Sequence, residues 1–252
     1  MPFLELKYFS NALQFATAAN IILPNPDIKG PYHVMFLLHG LSDDHTIWSR
    51  RTSIERYVEG LPLIVVMPNG GRGWYCDAVN GSAYETAIAK ELPEIIETYF
   101  PTREEWCVTG LSMGGYGATK LAFKYPTRFR SGHSHSGAQL YGSLPFEESR
   151  FKERVGDDVQ PEHVRILGSD PRNGPNDLVA ISVALAADAR PYYRFDCGLD
   201  DFLLDENRQF RDHLESIGFP HEYEEFTGDH SWPYWDEHVQ DAIAFHRRNL
   251  GF

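Results

Sequence analysis

Three short segments carry residue types that together could cleave an acyl bond. GLSMG (110–114) sets Ser112 between two glycines, GLDD (198–201) sets Asp200 and Asp201 side by side, and GDHSW (228–232) carries His230. A serine hydroxyl alone is a weak nucleophile. It needs an imidazole to take its proton and a carboxylate to hold that imidazole in the right tautomer. The order serine, acid, histidine is the order that accompanies a serine on a strand-to-helix elbow. Of the eleven histidines, His33 and His39 precede the serine, and His133 and His135 precede every candidate acid. His213, His238 and His246 fall in predicted helices, and His221 stands at the entry to a strand. His230 follows the strand-like YEEFT and precedes the last helix, so it can swing over the elbow. The two aspartates are not separated by this reasoning: one can meet the imidazole while the other caps the next helix.

Attack on a carbonyl puts negative charge on its oxygen, which fixed backbone N–H groups can stabilise. Met113, directly after the serine, is one expected donor. HVMFLLHGL offers a second at Leu41, with Gly40 letting the chain turn. Aromatics stand beside these motifs, and Trp48, Trp74, Tyr75, Tyr116 and Trp232 are the expected pocket wall, Trp48, Trp74 and Trp232 foremost. Asp43, Asp44 and His45 lie together without a second correctly spaced ligand pair, so solvated loop charges are expected there and no metal. Cys76 could be a reactive thiol by the pocket, although free cysteines are usually inert packing residues, and the sequence does not decide between the two.

The elements that must position these residues alternate along the chain. HVMFLL (33–38) and LIVVM (63–67) are apolar enough for strands buried on both faces, and each ends in a turn signal. WCVT (106–109) and YYRFDC (192–197) read as weaker strands, and YEEFT (223–227) as a strand nearer the edge. Tyr84, Ile88, Leu92, Ile95 and Tyr99 recur at helical steps, with Pro93 expected to kink or divide that helix. Phe210, Leu214 and Ile217 mark another helix stopped by Gly218, and Val239, Ile243 and His246 a final one. Strands alternating with helices predict an α/β fold, a mostly parallel sheet covered on both faces. One domain over 1–252 is expected, with loop or cap excursions within 138–190, where periodicity is poor.

Composition narrows the function classes. With 23 basic and 36 acidic residues in 252, the formal charge is −13, which disfavours nucleic acid as a partner. No segment approaches eighteen uninterrupted apolar residues, so no membrane span is expected. The first twenty residues lack a basic start followed by an apolar run, and the three cysteines have unrelated spacings. A cytoplasmic protein with free thiols is the expectation.

GLSMGG, LLHGLSDDHTIW, MPNGGRGWYCD, ELPEIIETYFP, CGLDDFL and GDHSWPYWD together resemble the esterase D-like α/β hydrolases. The likeness runs from about residue 9 to the C-terminus, with 138–190 the least clear part. It is greatest to the tributyrin esterase and acetyl esterase branch, related to S-formylglutathione hydrolases and to feruloyl and acetylxylan esterases. The resemblance implies an α/β-hydrolase fold, Ser112 as nucleophile, His230 as base, Leu41 and Met113 as oxyanion donors, and no organic cofactor. The family's acid stands in a G-x-x-D arrangement, here Gly198 to Asp201, which favours Asp201. The expected activity is therefore hydrolysis of short-chain acyl esters through an acyl-enzyme, with a small-molecule ester as partner, in a monomer or a homo-oligomer. The rivals are an S-formylglutathione-type thioesterase, a feruloyl or acetylxylan esterase, and a noncatalytic carbohydrate-binding or scaffold protein.

Overall fold

The computed structural model describes residues 1–148, 152, 156 and 160–252. The apolar run His33–Leu38 forms strand β3, and Leu63–Pro68 and Trp106–Leu111 form β4 and β5, every residue of all three buried. Strands without a solvent face need helices on both sides. Period-two alternation divides β3 between two cores: Val34, Phe36 and Leu38 point into one, Met35 and Leu37 into the other. The hairpin β1 (Phe3–Ser10) and β2 (Phe15–Ile22) extends this sheet on one side. On the other side come β6 (Phe129–His135), β7 (Tyr192–Gly198) and β8 (Glu222–Phe226). The order is β1-β2-β4-β3-β5-β6-β7-β8, antiparallel at β1/β2 and β2/β4 and parallel elsewhere.

Short helices α1 (Ile47–Arg51) and α2 (Ile54–Tyr57) follow β3. Next comes α3, built from Tyr84–Thr86, a π-helical turn Ala87–Glu91 and Leu92–Tyr99. Pro93 stands at the start of the last piece. Its missing N–H is accommodated by that wider turn, so the helix changes pitch rather than dividing. Helix α4 (Met113–Lys124) follows β5, and its core face buries a lysine, Lys120, whose Nζ lies 3.0 Å from Glu85 Oε2 on α3. Helices α5 (Gln160–Leu167), α6 (Leu178–Ala184), α7 (Leu204–Ser216) and α8 (Trp232–Leu250) complete the set among the described residues.

Strand β6 has no counterpart in the sequence reading: FRSGHSH is mostly polar and carries no apolar run. Only Arg130 of its residues is not fully buried. One of its hydroxyls is held from another element: Ser131 Oγ, like Thr109 Oγ1 of β5, lies 2.7 Å from a ring nitrogen of His246 on α8. In the 138–190 segment, residues 149–151, 153–155 and 157–159 are outside the described residues. Its described part packs onto the 70–80 loop through an Arg72–Glu162 ion pair and the backbone bond from Val79 N–H to the Ile166 carbonyl.

Candidate active site

Ser112 stands between the last residue of β5 and the first of α4, with φ 53° and ψ −116°. A non-glycine residue there carries strain on the order of 1–3 kcal/mol, which surrounding contacts must hold. They do so through the backbone: Ser112 N–H donates to the His135 carbonyl at 3.0 Å, and its own carbonyl accepts from Tyr116 N–H at 3.0 Å. The flanking glycines are steric requirements. A Cβ at Gly110 would come within 2.2 Å of the Gly114 carbonyl oxygen, and one at Gly114 within 2.4 Å of the Leu38 carbonyl oxygen. Strand β5, helix α4 and strand β3 therefore touch backbone to backbone, which lifts the serine side chain above the sheet.

The loop after β8 brings His230 Nε2 to 2.9 Å from Ser112 Oγ. His230 Nδ1 lies 2.8 and 3.0 Å from the two carboxylate oxygens of Asp201, on the loop after β7. A nitrogen facing two carboxylate oxygens carries the proton, so Nε2 is left to accept from the serine hydroxyl. Asp201 has a fully buried side chain, and its Oδ1 also accepts the Leu203 N–H at 2.8 Å. Asp200 is exposed, and its N–H donates to the Gly228 carbonyl, which ties the acid loop to the histidine loop. Phe202 and the edge of Trp235 enclose the imidazole at ring distances of 4.6 and 5.0 Å.

These groups open into a cleft of about 510 Å³ lined by Gly40, Leu41, Asp43, Arg51, Phe202 and Trp232, among others. Burial, with the charge of Asp44 beside it, pushes the Asp43 carboxyl up to about 6. Met113 N–H, at the first position of α4, has no acceptor within its own helix. At the other candidate donor, His39 Nε2 accepts the Gly70 N–H at 2.8 Å, so Nδ1 holds the proton and donates to the Gly40 carbonyl, also at 2.8 Å. Pinning that carbonyl turns the Leu41 N–H away from the His39 ring, because the two groups of a trans peptide point in opposite directions.

The aromatic wall differs from the sequence expectation. Only Trp232 of the five residues lines the cleft. Trp48 is buried behind it, ring edge to ring face at 5.3 Å, with Nε1 donating to the Leu38 carbonyl. Trp74, Tyr75 and Tyr116 are fully buried in the core under α4. Tyr75 OH donates to the His39 carbonyl and Tyr116 OH to the Asn176 carbonyl. All four stand next to the motifs in sequence while their side chains point into the protein. The residues missed are Phe202 and Trp235; Phe202 directly follows Asp201, and Trp235 lies one helical turn beyond Trp232, which could have signalled them. Asp43, Asp44 and His45 do not converge: Asp43 faces the cleft, Asp44 accepts from Thr46, and His45 lies 3.8 Å from Glu5. None of the described residues in 138–190 lines this cleft.

An eight-stranded, mostly parallel sheet with helices on both faces and a serine on the β5–α4 elbow defines an α/β hydrolase. The Esterase family model matches residues 10–246, and the chain belongs to that family of carboxylic ester hydrolases. The acetyl esterase of Caldicellulosiruptor saccharolyticus is 27% identical, covering 97% of this chain and 98% of its own. The substrate-bound structure of fluorophosphonate-binding serine hydrolase F of Staphylococcus aureus superposes with a TM-score of 0.84 at 29% identity, over 97% of each chain. An S-formylglutathione hydrolase of Staphylococcus aureus gives a TM-score of 0.82 at 28% identity, over 97% of this chain and 98% of its own.

Proposed function

We propose that this chain is a serine carboxylesterase for short-chain acyl esters, acting through an acyl-enzyme. The observation that carries this reading is the hydrogen-bonded series Ser112–His230–Asp201 opening into the cleft. His230 Nε2 takes the Ser112 proton as Oγ attacks the acyl carbon. Asp201 stabilises the imidazolium, and the N–H groups of Leu41 and Met113 hold the oxyanion, each contributing about 3 kcal/mol. His230 returns the proton to the leaving alcohol, and water then releases the acid by the same steps in reverse. A cleft bordered by Trp232 and Phe202 and not covered by the described part of 138–190 suits a small acyl group. In this reading residues 1–252 act as one domain in the cytoplasm, its three cysteines free and buried.

The test is labelling with a fluorophosphonate, together with turnover of nitrophenyl acetate. Wild type labels, and Ser112→Ala loses both labelling and at least about 10⁴-fold in kcat. Folded wild type that resists the probe would instead identify a noncatalytic binding or scaffold protein. Similarity to the Staphylococcus aureus S-formylglutathione hydrolase favours a thioesterase as the second reading. Rates on nitrophenyl acetate, S-formylglutathione and methyl ferulate rank the three substrate classes, and a kcat/KM highest on the thioester would replace the first reading by the second.

A further inference from the structure

Strand β6 ends in His133-Ser134-His135, and alternation puts both imidazoles on the face covered by α8. The residue in register with His135 on the neighbouring parallel strand is Asp196 of β7. All three side chains are sealed from solvent, and none lines the cleft. Asp196 Oδ2 lies 2.9 Å from His135 Nδ1 and 3.5 Å from His133 Nε2. One donor atom from each residue falls within 4.8 Å of the other two. The opposite carboxylate oxygen, Oδ1, accepts the Tyr234 hydroxyl at 2.8 Å and lies 3.1 Å from His135 Nδ1.

A proton on His135 Nδ1 explains only part of this cluster. Both nitrogens of His133, and Nε2 of His135, have no hydrogen-bond partner among the described residues. Buried polar groups left in that condition call for a reason, and a bound ion is one. We propose that His133, His135 and Asp196 form a binding site for one divalent transition-metal ion, with Zn²⁺ the best fit. Ligand atoms 2.0–2.1 Å from a tetrahedral zinc stand about 3.3 Å from one another, and the separations of 2.9 and 3.5 Å bracket that value. Two imidazoles and one carboxylate suit zinc, whereas calcium and magnesium take oxygen ligands. The Tyr234 hydroxyl orients Asp196 by holding Oδ1, so that Oδ2 faces both histidines.

The site acts on the frame and takes no part in ester chemistry. The His135 carbonyl accepts the Ser112 N–H, and the Asp196 carbonyl accepts the Ser136 N–H at 2.8 Å. An ion joining the two strands here would clamp β6 to β7 directly beneath the nucleophile. Because the ligands are sealed, the metal enters while the chain folds.

The experiment unfolds the purified full chain in guanidinium with a chelator. The chain is then refolded with Zn²⁺, with Co²⁺ or with chelator, and loose metal is removed by gel filtration. Wild type is expected to retain about one Zn²⁺ per chain, and the Co²⁺ form to show a visible absorption stronger than that of free aqueous Co²⁺. The zinc-refolded protein should melt at least about 4 °C above the chelator-refolded one. His133→Ala and, separately, His135→Asn should retain less than a tenth of the wild-type metal, with far-UV circular dichroism reporting the fold. Asp44→Ala/His45→Ala should retain all of it. Two results would overturn the site: wild type that holds less than a tenth of an equivalent, or folded His133 or His135 variants that keep the full complement. If neither variant folds, the wild-type stoichiometry and its melting shift decide between the same two outcomes.

Discussion

Two aspartate–histidine pairs stand at the ends of neighbouring strands with nearly the same geometry and opposite surroundings. His230 Nδ1 lies 2.8 and 3.0 Å from the oxygens of Asp201, and His135 Nδ1 lies 2.9 and 3.1 Å from those of Asp196. The acids are five positions apart in the sequence, Asp196 on β7 and Asp201 just beyond it. What separates the pairs is the far nitrogen of the imidazole. His230 Nε2 meets a hydroxyl in an open cleft, whereas His135 Nε2 faces a sealed interior with no hydrogen-bond partner among the described residues. In the proposed function only the first pair has access to a hydroxyl and to a substrate, and so only the first is placed to act as a general base.

The largest effect expected from breaking this comparison is in Asp201→Asn. Losing the carboxylate releases the tautomer of His230, and kcat should fall about 10³- to 10⁴-fold with KM little changed, as measured on nitrophenyl acetate. The matching Asp196→Asn should leave kcat within about threefold while destabilising the fold by roughly 2 kcal/mol in urea titration, because a buried hydrogen-bonded acceptor is altered away from the reacting atoms. Comparable activity losses in both variants would erase the distinction between the pairs. Buried histidines elsewhere extend the contrast to pH. Burial pushes His33, His39 and His163 each down to about 4. Their folded forms bind protons less readily than the unfolded chain. Stability should therefore be full above about pH 7 and fall as pH drops from 6.5 toward 4. His39 alone accounts for about 2 kcal/mol of that loss by pH 5. Urea midpoints between pH 8 and pH 5 measure this slope, and a flat profile would contradict it. The smallest effect is expected in the cleft wall: Trp232→Ala should raise KM several-fold with kcat and melting temperature nearly unchanged, since its ring is only partly buried.

The sequence showed the central sheet clearly wherever strands are buried on both faces in apolar surroundings, as in β3 and β4. Strand β6 was not legible because its buried face is polar, and Ser131 and His246 satisfy each other across 115 residues. The outer hairpin also escaped: β1 alternates in FLELKYFS and borders the sheet, where few residues are buried. At the site, spacing brought Ser112 and His230 into view but could not choose between adjacent aspartates. In the structure the two aspartates differ through a turn in which Asp201 N–H donates to the Gly198 carbonyl and the Asp201 side chain swings inward to the Leu203 N–H. Trp74, Tyr75 and Tyr116 show the complementary limit. Proximity to a motif says where a residue is, and the direction of its side chain depends on packing with distant elements such as Asn176.

Among the described residues strand β8 pairs with β7 alone, none of its residues is fully buried, and it leads straight into His230 and the start of α8. The proposed base is thus carried by the outermost parallel strand, while Ser112, the proposed nucleophile, sits over the centre of the sheet. Fraying of that border would draw His230 away with β5 and α4 still intact. With His230 as the base, activity on heating should then fail as a local event before the bulk helical signal is lost, so that the rim of the sheet sets the working temperature limit.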